Sequence, residues 1–498
     1  MTILSVDAGT SVAKCVAYDD AGAELAVERV PTTAEKGPGG RVEQDMEGVW
    51  GSVATAMRRA REAAGGRVAL VTVTGQGDGA WLVDLGGRPT GPALLWSDGR
   101  ANEIVERWRQ DGALARAFRT TGCATFPGLP HALLAWLAAH EPQRVEASAF
   151  VLSCDGWLFH RLTGEIASDL SDASNPFLDA TTRTYALDLL EELGLGWIER
   201  LLPPLVDDEH RLSALTPSAA ADLGLPAGIP VVLAPYDVVS SGLGAGMSMG
   251  NVAAAILGTT LCVSAIVEVP ALDGPPVGLH LSGGVGERWT RALPTLSGVE
   301  VLEWLAGLVG RPDAPAITEL AAASPPGARE LAFLPHLAAG GERAPFVDPG
   351  ACGVLAGLRL EHEAADIARA VLEGLTATVA DCVDLLPARP DGLVLAGGGS
   401  RSDLWCQLLA DLTGVVVRRT SSAEPGAFGA LLVALTARGD FRTTAEAAAA
   451  LIRFDARFEP GADRSPYEAL RARQHALRAS AQEAGWWRQP RGWVAPRS

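Results

Sequence analysis

The sequence predicts an α/β chain built from two related domains, and three observations carry that expectation. The chain has 498 residues, well beyond what one hydrophobic core usually supports. Strand-like segments at 3–6, 12–18, 68–73, 80–84, 231–234, 253–257, 261–267 and 392–396 alternate with helix-periodic segments at 48–63, 131–139, 365–386 and 403–412; such alternation marks α/β architecture. An internal echo relates ILSVDAGTSVAKCVAYD, at 3–19, to AAAILGTTLCVSAIVEV, at 253–269. Both read strand, Gly-Thr turn, strand, so each domain would offer one hairpin turn to a shared cleft. The Gly- and Ser-rich stretch at 225–251 contains a Pro-bracketed strand and places the junction near residue 245, separating 1–245 from 246–498.

Composition narrows the function classes. Hydrophobic residues make up 48% and charged residues 20%, so sizeable cores are available; 59 acidic residues against 41 basic ones leave a net charge of −18. That field repels nucleic acid and anionic membranes and argues against both as partners. Only two of the basic residues are lysines, Lys14 and Lys36. The seven cysteines are scattered with no C-x-x-C, which fits reduced thiols in a cytoplasmic setting and no structural zinc. The start lacks a basic segment followed by an apolar one, so no export signal is read there. The most apolar run, at 251–270, is broken by Gly258, Thr259 and Thr260 and ends near Glu268, which suits a buried hairpin better than a bilayer span.

The turns are the chemically informative segments. Asp7-Ala8-Gly9-Thr10-Ser11 has few side chains, so backbone N–H groups and hydroxyls can point at one anion, naturally a phosphate. Asp7 would repel that phosphate unless a cation lay between them, which implies Mg²⁺; Lys14 follows the turn and can serve the same anion. The loop GQGDG, with Gln76 and Asp78 between two strands, suits neutral, hydroxyl-rich ligands, and Trp81 and Trp96 could cover their CH faces; a polar hairpin tip is the alternative. Asp98 and Arg100 add a carboxylate and a cation, or simply an ion pair. Asp237 follows a short apolar strand, where a carboxylate is placed for general-base work or for capping a helix. Gly258-Thr259-Thr260 repeats the first turn. Gly397-Gly398-Gly399-Ser400 opens a helix and lets a flat or charged ligand approach the backbone. No G-x-x-x-x-G-K-[ST] is present, and no G-x-G-x-x-G follows a strand with an acidic residue about twenty positions on, so P-loop and dinucleotide sites are disfavoured.

Taken in order, DAGTSVAK, GRVEQDMEGVW, GQGDGAWLVD, PALLWSDGRA, RLTGE, SDLSDAS, Asp237 with its Gly/Ser tail, LGTT, FLPHLAAGGERAPFVDPGACG and LAGGGSRSDLWCQLLAD resemble the motifs of the FGGY carbohydrate kinases. The resemblance runs from residue 4 to about 435. It implies two actin-like, ribonuclease-H-like domains, the first binding sugar and the second nucleotide, which close over ATP, Mg²⁺ and a small polyol or sugar. By that resemblance Asp7 and Asp237 are the metal-linked carboxylates and Asp237 the catalytic base. Gly9, Thr10, Ser11 and Lys14, with Gly258, Thr259 and Thr260, serve the phosphates; Gly298 and Gly397, Gly398, Gly399 and Ser400 serve the nucleotide. Gln76, Gly77, Asp78, Trp96, Asp98, Asp155 and Tyr236 line the acceptor pocket. Two departures stand out. Cys352 replaces the arginine that follows the family's GERxP segment, and Ala234-Pro235-Tyr236 replaces a glycine-rich lead into the base, giving a bulkier floor and a smaller substrate. GQGDG together with EQDM is most similar to erythritol kinases. A xylulose- or ribulose-type ketose kinase, and an actin-like protein that binds ATP and sugar without catalysis, remain open at this point, and the resemblance allows a homodimer.

Overall fold

Strand Thr2–Ala8 organises the first half of the molecule. In the computed structural model, which describes residues 1–338 and 340–487, it pairs antiparallel with Val12–Tyr18, with Asp7 opposite Lys14. On its other side it pairs parallel with Val68–Gly75, with Ala8 opposite Gly75, and that strand pairs parallel with Pro230–Leu233. Three strands therefore end at the same sheet edge, where the chain continues into Gly9, Gln76 and the segment leading to Asp237. Ligand sites of open α/β sheets lie outside such carboxyl ends. Leu4, Val6, Ala8, Val71, Val73, Val231 and Leu233 are buried, as near-continuous apolar runs in a doubly covered sheet require.

Helix Met46–Ala64 covers one face. The Asp45 carboxylate caps it by accepting from the N–H groups of Glu47 and Gly48, its buried stripe runs through Val49, Trp50, Val53, Met57 and Ala60, and Gly65 ends it at φ 64°, a conformation cheap only for glycine. On the other face, helices Asp237–Ala245 and Pro425–Arg438 cross with their backbones touching. A Cβ on Gly244 would stand 1.9 Å from the Pro425 carbonyl oxygen, and one on Gly429 would stand 1.8 Å from that of Ser240. The late helix is thereby pinned beside the first strand, where the Ser5 hydroxyl donates to the Ala427 carbonyl at 2.6 Å.

The chain forms two units, the first comprising 1–249, 266–292 and 424–452, the second 250–265, 293–423 and a stretch beginning at Arg453. The second repeats the first's opening pattern. Val252–Leu257 pairs antiparallel with Leu261–Val267 and parallel with Gly392–Ala396, which is followed by a parallel Val416–Thr420 and an antiparallel Phe454–Phe458. The apolar run at 251–270 is thus a hairpin, as its Gly-Thr-Thr interruption predicts. Among the described residues no helix is long and apolar enough to cross a membrane.

Candidate active site

In the first unit the Gly9–Ser11 turn is closed by the Gly9 N–H donating to the Val12 carbonyl at 3.1 Å. Thr10 is fixed by a polar network that joins it to the loop after the parallel strand. Its hydroxyl donates to Gln76 Oε1 at 2.6 Å and accepts from Trp96 Nε1 at 3.0 Å. Its carbonyl accepts from Gln44 Nε2 at 3.0 Å, and Gln76 Nε2 donates to Gln44 Oε1 at 2.8 Å. Gln76 and Trp96 therefore set the shape of the turn, while Ser11 is exposed. Trp81 is a core residue, fully buried and packed 5.9 Å from the ring of Trp157; a ligand cannot reach it.

Asp7 and Lys14 face each other across the hairpin. Lys14 Nζ lies 3.6 Å from Asp7 Oδ2 and 3.1 Å from Glu424 Oε2, and Arg29 holds the other Glu424 oxygen. Burial alone would lower the lysine's pKa, but Asp7 and Glu424 outweigh it and raise it. Burial raises Asp7, with Lys14 opposing. Gly426, in the first turn of the late helix, leaves room for Asp7, because a Cβ there would stand 2.8 Å from Oδ2. Glu424 and Gly426 escaped the sequence reading; their only local signal is the Glu-Pro-Gly of a helix start, Pro425 being its first residue.

Asp237 opens helix Asp237–Ala245, and its buried Oδ1 has no hydrogen-bond partner. The preceding Pro235-Tyr236 is anchored by three bonds: the Thr74 and Ser240 hydroxyls each donate to the Pro235 carbonyl at 2.6 Å, and the Tyr236 N–H donates to Ser171 Oγ at 2.9 Å. Burial, followed by the negative charges of Asp7, Asp78 and Asp155, pushes the Asp237 carboxyl well above the ordinary range, so these four acids share one electrostatic neighbourhood.

Asp78 sits at φ 59° and accepts from Asn175 Nδ2 at 2.6 Å, with the Tyr236 hydroxyl at 3.4 Å. Gly77 is bare because the Tyr236 ring lies against it. Asp155, at the start of helix Cys154–Thr163, is fully buried; its Oδ1 accepts from the Gly156 N–H at 3.0 Å, and its carboxyl is hydrogen-bonded to that of Asp172. Burial lifts it to about 7.

Asp98 stands apart from this group. It accepts from the N–H groups of Val42 and Arg100 at 2.8 and 2.9 Å and from the Arg100 guanidinium at 2.7 Å, which also binds Glu43. That is the ion-pair alternative of the sequence reading, and it leaves the carboxylate little to offer a ligand.

Among the described residues no three His, Cys, Asp or Glu side chains gather closely enough to hold a metal ion. Asp7 and Asp237 are two partly buried carboxylates of raised pKa, one with an orphan oxygen. Such a pair fits a Mg²⁺ ion that takes its remaining ligands from phosphate and water.

The second unit carries the other turns. The Gly258 N–H donates to the Thr260 carbonyl at 3.1 Å, and Gly258 accepts from the Val299 N–H at 2.9 Å. Gly298 belongs to this turn: a Cβ on it would stand 2.6 Å from the Thr259 carbonyl oxygen. The glycines of the 397–399 run serve different ends. Gly397 adopts φ 88° and a Cβ there would meet the Leu257 carbonyl at 2.7 Å, while one on Gly399 would meet the Trp405 ring at 2.6 Å. Ser400 is buried and its hydroxyl donates to the Gly397 carbonyl at 2.7 Å, so it holds the turn together. Gly398 alone is exposed, with nothing within 4 Å of an added Cβ.

Known proteins share this fold. Residues 2–244 match the N-terminal domain, and residues 253–438 the C-terminal domain, of the FGGY family of carbohydrate kinases. The chain is 32% identical to the erythritol kinase of Brucella abortus (strain 2308), covering 88% of each chain. It is also 32% identical to the xylulose kinase of Escherichia coli (strain K12), covering 86% of this chain and 89% of that one. The fold matches the crystal structure of xylulose kinase from Rhodospirillum rubrum with TM-score 0.87 at 26% identity, covering 98% of this chain and 100% of that one. It matches ligand-bound xylulose kinase from Lactobacillus acidophilus with TM-score 0.89 at 22% identity, covering 97% and 98%. The resemblance carried by the motifs is borne out for both halves: the chain belongs to the FGGY family of carbohydrate kinases.

Proposed function

We propose that this carbohydrate kinase transfers the γ-phosphoryl group of ATP to a terminal hydroxyl of a small polyol, erythritol being the first candidate. The observation that carries the reading is Asp237: a carboxyl with an orphan oxygen, at the sheet edge where Gly9 and Gln76 also emerge, in the field of three other acids that raises its proton affinity. A base of raised pKa suits removal of a hydroxyl proton as the oxygen attacks phosphorus. Asp78, aimed by Asn175, accepts a second hydroxyl and orients the acceptor. In the first unit the Gly9 N–H is a donor for phosphoryl oxygens with Lys14 adding positive charge nearby; in the second, the Gly258–Thr260 turn offers N–H groups to phosphate and Gly398 a surface to adenosine. Asp7 and Asp237 are the residues to hold Mg²⁺, which when bound offsets the charge of the phosphates. Tyr236, closing the floor over Gly77, favours a four-carbon acceptor.

A ketopentose kinase is the second reading, because a xylulose kinase is as similar in sequence as an erythritol kinase. ADP release measured with glycerol, erythritol, xylitol, D- and L-xylulose and D-ribulose, and with ATP alone, separates the two. The expected outcome is the highest kcat/KM on erythritol. The highest value on a ketopentose would install the second reading, and ADP release independent of any acceptor would remove both.

A further inference from the structure

We infer that Asp169, Ser171 and Arg211 are positioning residues that hold the Asp237 carboxyl where it must stand to take a proton from the acceptor. The inference rests on the reading of Asp237 as the base and extends it to SDLSDAS, at 168–174, a motif to which the proposed chemistry gives no part. The run that leads into Asp237 is held through its backbone at every residue. The Leu233 carbonyl accepts from Arg211 Nη1 at 2.6 Å, and the Ala234 N–H donates to the Val73 carbonyl at 2.9 Å. The Pro235 carbonyl takes the Thr74 and Ser240 hydroxyls, and the Tyr236 N–H donates to Ser171 Oγ at 2.9 Å.

The first and last of these grips meet in Asp169. Its Oδ1 accepts from the Ser171 N–H at 2.8 Å and from the Ser171 hydroxyl, and its Oδ2 lies 3.0 Å from Arg211 Nη2. An oxygen that already accepts an N–H can only accept from the hydroxyl as well, so the Ser171 proton is committed to Asp169 and a lone pair of Oγ is left for the Tyr236 N–H. The chain from Tyr236 through Ser171 to Asp169 therefore has one direction, and its successive bonds polarise one another. Asp169 and Ser171 are fully buried and Arg211 is 1% exposed, so water does not substitute for a lost member. Arg211 is fixed in turn by Asp208, whose carboxylate accepts from the N–H groups of Gly284 and Gly286 at 2.7 and 2.9 Å. Capping of the short helix Leu170–Ser174 accounts for the bond from the Ser171 N–H to Asp169. It accounts neither for the direction of the hydroxyl nor for a buried arginine that grips the strand carrying the base.

Ser171→Ala removes one oxygen atom and leaves the Tyr236 N–H without its acceptor. With ATP and the best acceptor of the panel, kcat should fall about ten- to hundredfold, while KM for ATP and calorimetric binding of the acceptor change by less than about threefold. Asp169→Asn, which weakens both grips at once, should lose kcat in the same range; if that variant does not fold, Ser171→Ala decides alone. The double variant Ser171→Ala/Asp237→Asn separates positioning from general support of the fold. Once the base is gone nothing is left to position, so its kcat should lie within about twofold of that of Asp237→Asn. A Ser171→Ala enzyme of unchanged kcat, or losses that multiply in the double variant, would overturn the inference, while a strongly impaired Asp237→Asn enzyme leaves the base reading standing. An Asp237→Asn enzyme of wild-type kcat would remove the base reading and this inference with it.

Discussion

The ring of Tyr236 lies so close to the backbone of Gly77 that a methyl group on Gly77 would stand 2.1 Å from a ring carbon. The two residues come from different loops at one sheet edge, and each fixes the other. Gly77→Ala must push the phenol away from Asp78, so kcat/KM for the acceptor should fall by about tenfold or more, and stability by roughly 1–3 kcal/mol. Tyr236→Ala in the same chain should recover part of the lost stability. Denaturant midpoints of the two single variants and the double variant read the coupling directly, and additive effects would mean the ring is free to swing aside.

Asp237→Asn keeps the shape of the side chain but cannot take up a proton. If Asp237 is the base, kcat should drop by roughly 10²–10⁴-fold, while calorimetric binding of the acceptor changes far less. An active variant of unchanged melting temperature would reduce Asp237 to a helix-start residue, a role asparagine fills well.

Gly398→Val discriminates ligand contact from packing. Nothing in the protein lies within 4 Å of an added Cβ at this position, so stability should stay within about 0.5 kcal/mol of wild type. KM for ATP should rise well beyond KM for the acceptor. An equal rise in both, or none, would argue that the nucleotide does not pass over this turn.

Arg100→Met takes the guanidinium away from two buried carboxylates, Asp98 and Glu43, leaving Glu43 with Arg41 and Asp98 with no cation. Breaking a buried pair from one side usually costs about 3–5 kcal/mol, and urea unfolding should show a loss of that order. Asp78→Ala should show the reverse balance, costing about 2–3 kcal/mol in kcat/KM with a smaller effect on unfolding. The comparison tests whether the two aspartates divide into structural and acceptor-facing residues.

Folding raises Asp155 from an ordinary 3.8 to about 7. Between those values the folded chain keeps a proton that the unfolded chain has released, so its contribution favours folding at the acid end of the window and is lost as pH rises through 7. Asp155→Asn, which cannot ionise, should therefore show a shallower decline of melting temperature between about pH 5 and about pH 8 than the wild type. Parallel curves would mean that Asp155 is already ionised at the acid end.

The fold was legible because its signals are local. The Gly-Thr interruptions at Gly9-Thr10 and Gly258-Thr259 fall where hairpins must turn, and the apolar runs beside them can only be buried strands. Asp237 was singled out the same way, as a carboxylate just past a short apolar strand, placed for general-base work or for capping a helix. Asp98 looked equivalent on paper, because sequence does not say whether the arginine two residues on will fold back onto it; here it does. Asn175 and Glu424 were missed because each meets its partners only through tertiary folding. Glu424 lies 410 residues from Lys14 along the chain, and no local pattern announces such a pairing. Gly298 became intelligible only once its missing Cβ was seen to make room for the Thr259 carbonyl.

The glycine crossing of the two helices in the first unit bears on how the chain is made. Strand Thr2–Ala8 leaves the ribosome well ahead of the helix that covers it, Ser5 preceding Ala427, whose carbonyl accepts from its hydroxyl, by 422 residues. At typical elongation rates of about 5–20 residues per second, the first strand waits tens of seconds for its cover. Over that interval the part of the sheet that this helix covers lacks its native partner, and a nascent chain stalled before residue 424 would present it to chaperones. The order of synthesis and the order of burial run in opposite directions here, so residues 424–452 act as the closing step of the whole first unit.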